Sequence, residues 1–182
     1  MFFQITSFLL DVAAGLLGGA CLLRLYMQFQ RISFANPVGR FVFALTDWIV
    51  VPLRRLLPGK RRWDGASLLA AYLIELAQFG ILWLLLGRVG HPGLVPVVAV
   101  FGLVRLVISG AIGLVIVAAL LSWIQADSPI VDIIGRLAEP LLRPFRRVIP
   151  LVGGFDLSPL AALVLLQVAA IIVANLQDAL IR

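Results

Sequence analysis

The chain has 182 residues, of which 62% are hydrophobic and only 13% charged, against roughly 45–50% and a quarter in soluble domains; so large an apolar surplus excludes an ordinary water-soluble globule and makes a lipid bilayer the expected solvent. A net charge of +6 would suit nucleic acid, but basic residues interleaved with apolar spans set topology and meet anionic headgroups, so no nucleic-acid role is expected. A single cysteine, Cys21, and a single histidine, His91, exclude an internal disulfide and leave no cluster for structural zinc, and neither a metal nor another cofactor is expected.

The first element is an apolar span over Phe3–Phe29. It has no basic residue ahead of it and carries Asp11 within it, so it lacks the charged start of a cleaved signal peptide and is expected to stay attached. Cys21 follows Gly19-Ala20, but Gly18 stands where lipoprotein processing wants an aliphatic residue, and a small thiol packed in a helix is the expected reading. Gly15-x-x-x-Gly19 offers a small-residue groove for another helix, and Asp11 and Arg24 lie near enough to the span ends to snorkel.

A stretch of about thirty residues follows that is neither span nor plain loop. Asn36-Pro37 places a capping side chain before a proline at the first helical position. Arg40, Asp47 and Arg54 then recur every seven residues, keeping one helical face in the nearly continuous apolar sequence around FVFAL and WIVV. This predicts an amphipathic element deep in the interface, broken at Pro52 and ended at Pro58. The second span, Ala66–Gly87, carries Glu75 near its middle, with Tyr72 and Gln78 one turn either side. A carboxyl at that depth is a functional candidate. The third span lies within Leu94–Ile124, where Arg105 predicts a division into an interfacial or partial helix and a crossing over Leu106–Ile124; Ser109-x-x-x-Gly113 is a second small-residue groove. Next comes SPIVDIIGRLAEPLLRPFRRVIP, in which Asp132, Arg136, Glu139, Arg143 and Arg146 or Arg147 step by four, three, four and three, one polar stripe on an otherwise aliphatic helix. Pro140 and Pro144 should interrupt it and Pro150 should end it. After a Gly153-Gly154 turn the fourth span runs over Ser158–Leu176, with Gln167 at a depth similar to that of Glu75.

The chain repeats itself. A shift of 92 residues carries PLRRLLP, Pro52–Pro58, onto PFRRVIP, Pro144–Pro150, and without a gap aligns Asn36-Pro37 with Ser128-Pro129, Asp47 with Glu139, Arg54-Arg55 with Arg146-Arg147, and Trp63-Asp64 with Phe155-Asp156. The expected fold is therefore an all-α integral membrane protein of about four transmembrane helices, made by tandem parallel duplication. Residues 1–90 form one repeat of span, interfacial element and span, residues 91–182 the other, and a pseudo-two-fold runs along the membrane normal. Both elements then share one face, which carries Arg31, Arg40, Arg54, Arg55, Lys60, Arg61, Arg62, Arg136, Arg143, Arg146 and Arg147, eleven of the fifteen basic residues. The positive-inside rule puts that face in the cytoplasm and both termini outside.

Two readings of the arginines stand. They anchor each element to anionic headgroups at about 1 kcal/mol per charge, or they form a docking surface for acidic groups of a partner or a specific lipid. Glu75, Gln78 and Gln167 likewise read either as interhelical hydrogen-bond glue or as the polar lining of a small ion-conducting oligomer. No nucleophile stands beside a histidine and an acid, and no glycine-rich phosphate loop occurs, so no enzyme is expected.

PLRRLLP, EPLLRPFRRVIP and GGFDLSP resemble the YggT/YlmG family of small bacterial inner-membrane proteins over essentially the whole chain. Arg54, Arg55, Arg146, Arg147, Asp64 and Asp156 match its motif. Lys60-Arg61-Arg62-Trp63 departs from it, since members usually have a short apolar, glycine-containing stretch there. The resemblance implies a multi-pass inner-membrane protein linked to osmotic-stress tolerance and division-gene neighbourhoods, with plastid relatives in cytochrome assembly, and it implies no catalytic residue. The expected function is a non-enzymatic scaffold or assembly factor that binds anionic lipid or a membrane-protein partner, possible homo-oligomers included.

Overall fold

The computed structural model describes residues 2–56, 64–86, 92–124, 128–149 and 156–181, and every regular element among them is helical. The helices are α1 (Phe2–Phe29), α2 (Pro37–Leu56), α3 (Gly65–Leu86), α4 (Val95–Ile124, preceded by a single 3₁₀ turn, Pro92–Leu94), α5 (Pro129–Val148) and α6 (Ser158–Ile181). Of these, α1, α3, α4 and α6 are long and apolar enough to cross a membrane. Pro58, Pro150, the Lys60–Trp63 stretch and Gly153-Gly154 lie outside the described residues.

The helix ends follow local chemistry. α1 closes in a Schellman arrangement: the Arg31 amide donates to the Gln28 carbonyl (3.1 Å) and the Ile32 amide to that of Met27 (3.0 Å), while Arg31 takes the left-handed conformation at φ 55°. Met27 and Ile32, the residues such a cap brings together, are both buried. Asn36 caps α2 through its side-chain oxygen, which accepts from the Gly39 amide at 2.8 Å. Gly39 is required there, because a Cβ would fall on the Phe34 backbone folded back over this turn. Ser128 caps α5 and Pro129 follows in the first turn.

Two sequence expectations fail at the prolines and at Arg105. α2 runs unbroken through Pro52, and α5 through Pro140 and Pro144. All three prolines lie on exposed faces, so the carbonyls they leave without an amide point away from the packed side, where headgroups or water can satisfy them. α4 is likewise one helix of 30 residues through Arg105, with no separate partial helix. A long arginine on an exposed face does not interrupt the backbone hydrogen bonds of its own helix.

The described chain forms two compact units, residues 1–107 with 173–182, and residues 108–172. In the first, α1 and α3 pack most extensively, and α2 lies against both. Their core joins Cys21 of α1, Val50 of α2, and Ala66, Ala70 and Ala71 of α3; alanines along one face of α3 let the backbones approach closely. The start of α4 packs Val95, Val98 and Ala99 on Phe79. The close approach on α1 is at Gly18, where a Cβ would stand 2.7 Å from Leu106, and not at Gly15 or Gly19, which have nothing within reach; Gly113 in the other small-residue groove has nothing either. The second unit is held by Val115 of α4, Ala138 and Leu142 of α5, and Ala162 of α6.

α2 and α5 present different outer faces. α5 buries Ile133, Leu137, Ala138 and Leu142 and exposes its charged stripe. α2 buries Val42, Thr46 and Val50 and exposes Phe41, Trp48 and Val51. The Trp48 indole donates to the Leu45 carbonyl at 2.8 Å, so the ring can sit among acyl chains with its polar atom already paired.

Candidate functional site

In the first unit the arginine element is tied down by a charged network. Asp64 caps α3 and is 1% exposed; its carboxylate accepts from the Ser67 hydroxyl (2.7 Å) and amide (3.4 Å), and from Nε (3.4 Å) and Nη2 of Arg54. The two-nitrogen fork of a guanidinium on a carboxylate is a geometry lysine cannot reproduce. Burial pushes the Asp64 carboxyl up, but the hydrogen bonds from Arg54 and Ser67 outweigh it and hold the group below the usual carboxylate range.

Behind this pair sits Arg24 of α1, 2% exposed. Its Nη1 donates to Thr46 Oγ1 and Asp47 Oδ1, each at 2.7 Å, its Nε lies 3.9 Å from Asp64 Oδ2, and its guanidinium covers the Phe43 ring at 4.5 Å from the centroid. Phe43 stacks in turn on Phe34. Sequence reasoning expected Arg24 to snorkel; it is instead the buried centre joining α1, α2 and α3, because three polar partners from the other two helices converge on it. The sequence held a signal for this: a shift of 92 residues sets Arg24 against Ile116, Thr46 against Ala138 and Ser67 against Pro159, so three polar residues set against non-polar ones meet at one point.

The second unit keeps the outer half of the arrangement only. Arg146 donates through Nη1 to Glu139 (2.6 Å) and through Nε to Asp156 (2.9 Å), whose other oxygen accepts from the Ser158 amide (2.9 Å). Burial raises the Asp156 carboxyl, and its bonds from Ser158 and Arg146 bring it below the ordinary range. Here the arginine and both acids remain partly exposed.

The first arginine of each pair, Arg54 or Arg146, is thus engaged with the aspartate ten residues later. The second, Arg55 or Arg147, is exposed and makes no ion pair among the described residues, and the same holds for Arg136 and Arg143. Positions 136, 143 and 147 share one narrow stripe of α5, about 16 Å long.

Among the intramembrane candidates, Glu75 and Gln78 are buried in the first unit, and the Gln78 amide donates to Asp11 of α1. Tyr72 donates to the Pro96 carbonyl at 3.3 Å. Gln167 is exposed on α6 in the second unit. No group of three or more metal-ligating side chains occurs among the described residues.

The CCB3/YggT family model matches residues 3–85 and 97–177. The chain belongs to the CCB3/YggT family. It is 37% identical to the "Uncharacterized protein YggT" of Escherichia coli K12 over 95% of this chain and 91% of that one. It is 34% identical to an "Uncharacterized protein in proC 3'region" of Vibrio alginolyticus over 93% and 94%, and 32% identical to "Uncharacterized protein PA0392" of Pseudomonas aeruginosa over 85% and 80%. No solved structure matches. Together with four helices long enough to span a bilayer, this makes the chain a membrane protein of the CCB3/YggT family.

Proposed function

We propose that this CCB3/YggT chain is a non-enzymatic scaffold or assembly factor of the bacterial inner membrane whose arginine elements face the cytoplasm and hold anionic lipid headgroups, in keeping with the envelope role under osmotic stress that the family resemblance implies. The observation that carries the reading is the division of labour within each arginine pair: one guanidinium is consumed by its aspartate and fixes the helix, while the next is left outward with no internal acid among the described residues. A guanidinium spent this way cannot also bind a phosphate, and one left free at a headgroup-level helix can. A tandem origin is supported by the same pairs. The 92-residue shift carries the bounds of α2 onto those of α5 and the Arg54–Asp64 pair onto Arg146–Asp156, and the family matches two stretches of the chain.

The test is native mass spectrometry of the protein from nanodiscs of neutral lipid doped with phosphatidylglycerol. At about 1 kcal/mol per arginine, the combined Arg55→Gln, Arg136→Gln, Arg143→Gln and Arg147→Gln variant should insert normally and lose most retained anionic lipid, a change on the order of a thousandfold in retention. Unchanged retention, or loss of a copurifying protein with lipid unaffected, overturns the lipid reading.

A further inference from the structure

Glu75 is a carboxyl outside both arginine networks. It lies ten residues into the membrane-spanning part of α3, is 5% exposed, and has no hydrogen-bond or ion-pair partner among the described residues. Its carboxyl fills a notch opposite Gly102 of α4, where a Cβ would fall on Glu75 Oε2 and crowd Phe79 Cε2. Even alanine at residue 102 would evict it. The charges acting on Glu75 are Arg105 of α4 and Asp11 of α1. Asp11 is already occupied by Gln78, one turn along α3 from Glu75. Arg105 is exposed, makes no ion pair among the described residues, and sits one turn beyond Gly102 on the helix that forms the notch.

An uncompensated carboxylate in hydrocarbon is costly, and so is an uncompensated guanidinium. Among the described residues Arg105 is the cation that acts on this carboxylate, and the alternative to pairing with it is a proton. We propose that Glu75 is a proton-exchange site in the membrane at which a proton and the Arg105 guanidinium compete for the same carboxylate. With the proton on, neutral Glu75 rests in the Gly102 notch and Arg105 stays outward; with the proton released to water, Arg105 turns inward and pairs with the carboxylate. One proton is taken up or given off per cycle, and no bond other than O–H changes.

Isotope-edited infrared spectroscopy of the whole protein in lipid, titrated from acid to alkaline pH, tests this. A carboxylic-acid C=O band should appear on the acid side, vanish on the alkaline side, and be missing in Glu75→Gln. In Arg105→Gln, with the competitor gone, the band should persist to a roughly tenfold or greater lower proton concentration, by the usual effect of a nearby opposite charge. Arg105→Lys should return the midpoint toward the parent value and covers the case in which Arg105→Gln misfolds. A titration unchanged by Arg105→Gln, or no titrating band that Glu75→Gln removes, overturns the proposal; hydrogen-bond glue alone would show no dependence on Arg105.

Discussion

A side chain's role here depends on how many partners converge on it. Arg24 and Arg105 are both arginines inside apolar helices, yet Arg24 is enclosed by Thr46, Asp47, Asp64 and the Phe43 ring while Arg105 stays exposed. Removing Arg24 leaves Asp64 buried with one cationic partner fewer, which costs on the order of 3 kcal/mol. Arg24→Gln should therefore lower the apparent melting temperature in detergent markedly. Arg24→Lys should not restore it, because a single ammonium cannot serve Asp47 from one nitrogen, face Asp64 with another and lie flat over Phe43. Recovery by lysine would show that charge alone matters at this point. The caps were legible in the sequence because Asn36-Pro37 and Ser128-Pro129 are local patterns. The Arg24 network was not, since its partners lie on two other helices and only packing brings them together.

At the scale of elements, α2 and α5 are two answers to one problem. Each is an arginine helix pinned by an aspartate just before the next span, but the first pin is buried and backed by Arg24, and the second is partly exposed with an extra acid, Glu139. Exposed pairs contribute roughly 0–1 kcal/mol. Asp156→Asn should change stability little, whereas Asp64→Asn should lower it clearly at neutral pH. Acid separates them further. The Asp64 carboxyl is held below its unfolded value, so its stabilisation is complete above about pH 4 and drains away as pH falls through the lower folded value, where the unfolded chain binds the proton first. Melting followed from pH 7 downward should fall steeply below about pH 4 in the parent and more gently in Asp64→Asn; parallel curves would detach acid lability from this residue. The sequence marked both helices through their charge spacing. It misjudged their prolines, because a proline rule written for packed interiors does not hold where the freed carbonyl faces outward.

For the molecule as a whole, the four spans were the most readable feature, since twenty or so apolar residues in a row leave few alternatives to a bilayer. The packing among them was far less so. Small residues on an apolar helix offer many grooves, and the one used on α1 is Gly18 rather than the more conspicuous Gly15 and Gly19.

The buried arginine at the end of α1 also constrains how the chain can be made. Arg24 emerges from the ribosome well before either of its acids, Asp47 by 23 residues and Asp64 by about forty. Until they arrive the first helix offers an unaccompanied cation to the lipid, so a nascent chain released at that stage would be pulled toward the aqueous side. Residues 2–23 ahead of Arg24 are long enough to cross by themselves, so what waits for the start of α3 is the burial of this arginine and not the crossing.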